Sequence, residues 1–234
     1  MSAPTIRTVQ LRPGGPHLPA RGKFVSLEGL EGVGKTTNLD FIEAALQSAG
    51  HTVTRTREPG GTQIGEALRA LALSDEGAIS EMTELLLMAA ARIEHVAEVI
   101  APALAAGRWV LCDRYLDASI AYQGGGRELG AAFVADLHER LGVTLKPDLT
   151  LLLDMPVADG LARMQARGAT DRIEKEGCAF FERTRAAYLA LARAEPGRVV
   201  IIDANQALPA VQDSIAVVLA ARLGISPGAS VSSR

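Results

Sequence analysis

From residue 23 to about residue 205, short apolar runs alternate with longer stretches of helical spacing. The apolar runs fall at about Lys23 to Glu28, His51 to Arg57, Arg108 to Asp113, Asp148 to Asp154 and Arg198 to Asp203. Most are β-branched or leucine-rich, with apolar residues on both faces, as in strands covered on both sides of a parallel sheet. Helical patterns fill the gaps. Over Thr36 to Ala49 the apolar positions Leu39, Ile42, Leu46 and Ala49 share one helix face, and Gly50 follows as a stop. Ser80 opens a longer helix with Glu81 and Glu84 in its first turn, where the helix dipole favours acids. Pro102 inside that stretch predicts a kink. This alternation predicts right-handed crossovers and an α/β fold, a doubly wound five-stranded parallel sheet with helices on both faces. In such sheets ligands bind at the carboxyl ends of the strands.

The flanks read differently. Pro4, Pro13, Gly14, Gly15, Pro16 and Pro19 break any regular element, so residues 1–22 are expected to form a disordered tail. The stretch from Ser226 has linker composition, so residues 225–234 are expected to be flexible. The single domain is placed at 23–224, with a short lid at about 163–175.

Composition narrows the classes. The 234 residues are 48% hydrophobic and 22% charged, as in a globular protein with a real core. A net charge of −3 is too balanced for bulk binding of nucleic acid. Two cysteines make neither a disulfide framework nor a cysteine zinc site. No apolar run approaches a membrane span, and no apolar segment before Lys23 reads as a secretory signal. A cytoplasmic location, with no membrane or nucleic-acid partner, is therefore expected.

The strongest chemical signal is Gly29-Leu30-Glu31-Gly32-Val33-Gly34-Lys35-Thr36, a full match to G-x-x-x-x-G-K-[ST] between an apolar strand and a helix. Its backbone N–H groups can curl around phosphate oxygens, and the helix N-terminus adds its dipole. Lys35 is placed to reach the outer phosphates of ATP, and the Thr36 hydroxyl to sit on Mg²⁺. Switch GTPases share this loop but need an N-K-x-D base-reading motif, which is absent. A small-molecule kinase needs a second, acceptor site. Asp113-Arg114-Tyr115 ends one strand with an acid suited to Mg²⁺ through water and an arginine suited to an anion. Arg57-Glu-Pro-Gly-Gly-Thr62 presents Arg57 at the same sheet edge, and Arg92 sits in an apolar helical stretch where it needs an anion or a carbonyl. Ser119 and Gln123 share one helix face, and a hydroxyl and an amide together can read the polar edge of a base. Arg163, Arg167 and Arg172 gather on a cationic loop able to reach the transferred phosphoryl group.

These pieces, in this order, closely resemble bacterial thymidylate kinase. The similar stretches are Phe24 to Thr37, Thr56 to Thr62, Thr83 to His95, Trp109 to Arg127, Pro147 to Asp154 and Asp171 to Tyr188. The resemblance implies transfer of the γ-phosphoryl group of ATP to dTMP with Mg²⁺, by a homodimer. It implies that Gly29 to Thr37 hold ATP and that Glu31 lies near the sugar 3′-hydroxyl and acceptor phosphate. It further implies that Arg57 and Arg114 grip that phosphate, that Arg92, Ser119 and Gln123 read the base, and that Tyr122 packs under the sugar. Gly32 stands where another branch has an arginine, so the catalytic arginine is expected from the lid, Arg167 first, with Arg163 and Arg172 on ATP. Met88 stands where many members stack the base on phenylalanine, which implies a softer surface. A kinase for another pyrimidine monophosphate and a P-loop switch are the alternatives.

Overall fold

The computed structural model describes residues 21–74, 78–166, 168 and 171–225. The five expected strands are β1 (Phe24–Gly29), β2 (Val53–Arg57), β3 (Trp109–Asp113), β4 (Leu149–Asp154) and β5 (Val199–Asp203). They form one parallel sheet in the order β2-β3-β1-β4-β5, with β1 in the middle. Every residue of β1 is buried, which is why it reads as an unbroken apolar run.

Alternate residues feed the two faces. Val25 and Leu27 join a large core with Leu39, Ile42, Leu46, Ile215 and Leu219. Phe24, Val110 and Cys112 face a smaller one with Ile100, Leu104 and Tyr115. The first face is covered by α1 (Lys35–Ser48) and α9 (Leu208–Leu223). Behind the acceptor-side loops lie α2 (Gln63–Leu73) and α3 (Glu81–His95), capped by Thr62 and Ser80, whose side chains accept from the N–H of Gly65 and Thr83. After α3 the chain runs through a π-helical turn, Val96–Ile100, into α4 (Ala101–Ala105). Pro102 falls in the first turn of α4, where its missing N–H costs nothing, so the distortion precedes the proline.

A second π-helical turn, Ile120–Gly126, follows the short α5 (Leu116–Ser119) and packs on α8 (Cys178–Ala194). A side chain at Gly126 would meet Thr184 Oγ1 at 2.5 Å and the Phe180 ring at 2.6 Å, so only glycine allows this approach. The remaining helices are α6 (Ala131–Arg140) and α7 (Val157–Gln165).

Residues 1–20 and 226–234, where the tails are expected, lie outside the described residues. Two positions assigned to tails belong to the domain. The Gly22 N–H donates to Leu104 O, and Ile225 is buried with its N–H on Leu219 O.

Candidate active site

Loops at the carboxyl ends of β1, β2 and β3 surround a cavity of about 460 Å³. It is lined at one end by Gly34, Lys35, Thr36, Thr37 and Arg163, and at the other by Met88, Arg92, Ser119, Tyr122 and Gln123. Glu31, Asp113 and Arg114 line it as well.

The phosphate loop runs from β1 into α1. Gly34 occupies the N-cap position in a left-handed conformation with no side-chain cap, which leaves the helix N-terminus to an anion. Gly32 has φ +76°, and a Cβ there would lie 2.1 Å from Gly160 O. A residue with a side chain at this position is incompatible with this backbone. Lys35 Nζ folds over the loop, donating to Leu30 O (2.8 Å) and Gly29 O (3.3 Å), with Glu31 Oε2 at 3.8 Å. Burial, then the charge of Arg114, lowers its pKa from the usual lysine value.

Arg114 has φ +66°, a costly conformation for a residue with a side chain. The surroundings fix it. Its N–H donates to Leu27 O, its Nη1 to Gly29 O (2.7 Å) and its Nη2 to Glu31 Oε1 (2.6 Å). The next N–H, of Tyr115, donates to the buried Glu28 Oε1, whose other oxygen accepts from the Tyr188 hydroxyl. Burial and nearby Asp117 push the Glu28 carboxyl up to about pH 8. Glu31 thus gathers Lys35, Arg114 and the Tyr122 hydroxyl (3.1 Å), and the Arg114 guanidinium lies 4.8 Å over the Tyr122 ring. Asp113 Oδ1 is buried without a hydrogen-bond partner, and Asp113 and Thr36 both line the cavity. An unpaired hard oxygen in a cavity that also presents a hydroxyl fits a magnesium site.

Arg92 finds its anion inside the protein. Its Nε donates to Glu58 Oε2 (2.6 Å), its Nη1 to Ser119 Oγ (2.9 Å) and its Nη2 to Tyr115 O (3.1 Å). Glu58 Oε1 lies 2.9 Å from His95 Nδ1. His138 Nδ1 faces Val134 O (2.8 Å) and must donate there, so its Nε2 accepts from Arg92 Nη1 (2.7 Å). Burial, then the charge of Arg92, lowers the His138 pKa from 6.5 to about 4. A lowered folded-state value means that the folded chain binds fewer protons than the unfolded one between those limits. The stability so contributed is complete above about pH 6.5 and is lost as pH falls toward 4. We expect thermal stability to fall more steeply across this window in the native chain than in His138→Gln; parallel curves would exclude His138 as the titrating group.

Most of the expected site residues meet here, but not all as expected. Arg57 reaches the cavity while paired at the surface with Glu66 (2.7 Å). Arg163 lines the cavity, and Arg167 lies outside the described residues. Arg172, expected on ATP, is turned into the protein, donating to Glu84 Oε2 (2.6 Å) and Ala72 O (2.8 Å). A buried carboxylate outcompetes open solvent for it. Sequence reasoning missed Arg69, which lines the cavity with Nη1 on Pro59 O (2.9 Å). No local motif marks it.

A family model for thymidylate kinase matches residues 27–215. The chain belongs to the thymidylate kinase family. It is 53% identical to the thymidylate kinase of Methylococcus capsulatus over 195 residues, covering 83% of this chain and 93% of that protein. It is 54% identical to that of Bordetella pertussis over 192 residues, 82% and 91% of the two chains. Among solved structures, the thymidylate kinase of Ehrlichia chaffeensis superposes with a TM-score of 0.67 at 30% identity, covering 85% of this chain and 98% of that one. Membership of the thymidylate kinase family makes the chain a phosphotransferase.

Proposed function

We propose that the chain transfers the γ-phosphoryl group of Mg-ATP to dTMP, giving dTDP and ADP for DNA precursor synthesis. The observation that carries this reading is the set of hydrogen-bonding atoms left over at the acceptor end. Arg92 has five N–H donors. Four are spent, on Glu58, Ser119, His138 and Tyr115 O, which leaves one on Nη2. Ser119 Oγ accepts from Arg92, so its own proton is left to donate. Gln123 Nε2 gives one of its two protons to Glu84, which fixes the amide with its oxygen on the opposite side, left to accept. The Arg92 and Ser119 donors with the Gln123 acceptor suit a pyrimidine carrying a 4-carbonyl and an N3–H. Cytosine, with an amino group and a bare N3, pairs poorly with them.

The other roles follow the chemistry of the lining. Gly29 to Thr37 cradle the ATP phosphates, with Lys35 on the outer ones. Thr36 and Asp113 hold magnesium, which when bound neutralises phosphate charge. Arg114 and Arg57 hold the acceptor phosphate; the surface pair of Arg57 with Glu66 is exchanged at little cost. Glu31 fixes Arg114 and Tyr122 beside the sugar. The acceptor phosphate is already nucleophilic near neutral pH, so alignment and charge neutralisation suffice without a general base. Arg163 and Arg167 supply cations from the lid side. Met88 covers the base. Met88→Phe, giving a flatter and more rigid surface, is expected to lower KM for dTMP by about two- to fivefold; an unchanged or raised KM would remove Met88 from the base contact.

ADP release from Mg-ATP across dTMP, dUMP, dCMP, UMP, AMP and GMP, with a no-acceptor blank, tests the reaction. Strong preference for dTMP supports it. Preference for another monophosphate overturns the acceptor assignment, and release no faster than the blank overturns the kinase.

A homodimer is also part of this reading. Ile64 and Leu71 on α2 and Met82, Leu86 and Ile93 on α3 are exposed on two helices that pack together, an apolar face suited to a second copy. Sedimentation at twice the chain mass supports this, and at the single mass rejects it. Among the described residues no helix is long and apolar enough to cross a membrane. The reading places the enzyme in the cytoplasm with its nucleotide substrates, which cell fractionation checks.

A further inference from the structure

We propose that Glu84, a buried acid that does not line the cavity, sets the pyrimidine preference of the acceptor end by fixing which end of the Gln123 amide faces the base. The proposal rests on the reading of Gln123 as a base contact. A glutamine amide exchanges its donor and acceptor ends by a half-turn. Left free, it accepts from the N3–H of thymine in one orientation and donates to the bare N3 of cytosine in the other. A pocket with a free amide therefore discriminates weakly between the two.

Glu84 removes that freedom. A carboxylate only accepts, so the Gln123 end 2.8 Å from Glu84 Oε1 is the NH₂ group. The reverse orientation sets two oxygens against each other in the interior, with Gln123 2% and Glu84 1% exposed. The carboxylate itself cannot swing away. Its Oε2 accepts from Arg172 Nη2 (2.6 Å), and Arg127 Nε lies 3.3 and 3.2 Å from its two oxygens. Each arginine is anchored in turn, Arg172 on Ala72 O and Arg127 on Glu176 and over the Phe180 ring. Burial favours the protonated acid, but the hydrogen bonds from Gln123, Arg172 and Arg127 outweigh it and lower the pKa below the usual value. The group stays an acceptor at neutral pH. Two segments distant in sequence from Glu84, Gln123 to Arg127 and the stretch holding Arg172, converge on this one carboxylate, and only Gln123 among these partners lines the cavity.

The test is the ratio of kcat/KM for dTMP to that for dCMP, measured with Tm for the native chain, Glu84→Gln, Glu84→Asp and Gln123→Leu. Glu84→Gln offers an amide that tolerates either orientation, so the ratio is expected to fall roughly tenfold, through a higher KM for dTMP and a lower one for dCMP. Glu84→Asp keeps the charge beside Arg127 and Arg172 but withdraws it from the amide, and is expected to shift the ratio the same way if the glutamine variant does not fold. A merely structural role moves Tm and leaves the ratio alone, because loss of folded enzyme scales both substrates equally. An unchanged ratio in both Glu84 variants, with Gln123→Leu strongly impaired on dTMP, overturns the proposal. If Gln123→Leu itself leaves KM for dTMP unchanged, the base-contact reading beneath it fails instead.

Discussion

Lys35→Met is expected to lower kcat by about 10²- to 10³-fold with little loss of stability. Lys35 is held at the phosphate loop by carbonyls, Leu30 O at 2.8 Å and Gly29 O at 3.3 Å, and the carboxylate it pairs with, Glu31, is 3.8 Å away. Burial disfavours its charge in the folded chain, as the lowered pKa shows. Methionine keeps the aliphatic stem and deletes that charge, so the fold loses little. What is lost is a cation placed against the charge spreading over the transferred group, where its effect is greatest in the transition state. A fall in kcat with a near-constant KM for dTMP and a near-constant Tm is the expected pattern. A variant within tenfold of the native kcat would remove Lys35 from phosphoryl transfer.

What the sequence made legible was the part written in local patterns. Strands β1, β3 and β4 are covered on both sides and read as apolar runs, so their limits lay within a residue of those expected. Edge strand β2 is only half-buried, and its start was expected at His51, two residues before Val53. The phosphate loop is contiguous and was read in full. The buried ionic clusters were not legible, because their members meet only after folding. Arg92 is expected from the sequence to need an anion or a carbonyl and to read the base, but nothing near it in the chain announces its anion, Glu58, 34 residues earlier. Glu84 was read as a helix-dipole acid, and nothing near it in the chain announces Arg127 and Arg172, 43 and 88 residues later. Arg172 was assigned to ATP for the same reason: the competing acceptor lay out of sight. A motif states which groups a reaction needs, while the topology decides which of them are already spoken for.

The Arg92–Glu58 pair carries the second large prediction. Glu58→Ala is expected to cost about 3–5 kcal/mol of stability, measured by urea unfolding, because it strands a buried guanidinium. The residues are 3% and 4% exposed, and neutral His138, Ser119 and Tyr115 O offer Arg92 dipoles but no countercharge. A loss below about 1 kcal/mol would mean that those dipoles suffice. The double variant Glu58→Leu/Arg92→Met removes both charges and leaves apolar groups of similar volume, so much of the lost stability is expected to return. Recognition of dTMP should not return with it, since the one Nη2 proton left for the base goes with Arg92. Restored stability with a still-raised KM for dTMP would separate the two duties of this arginine. A buried ion pair adds little net stability; on the proposed reading the duty of Arg92 is to hold one remaining N–H, fixed by Glu58, Ser119, His138 and Tyr115 O, toward the base.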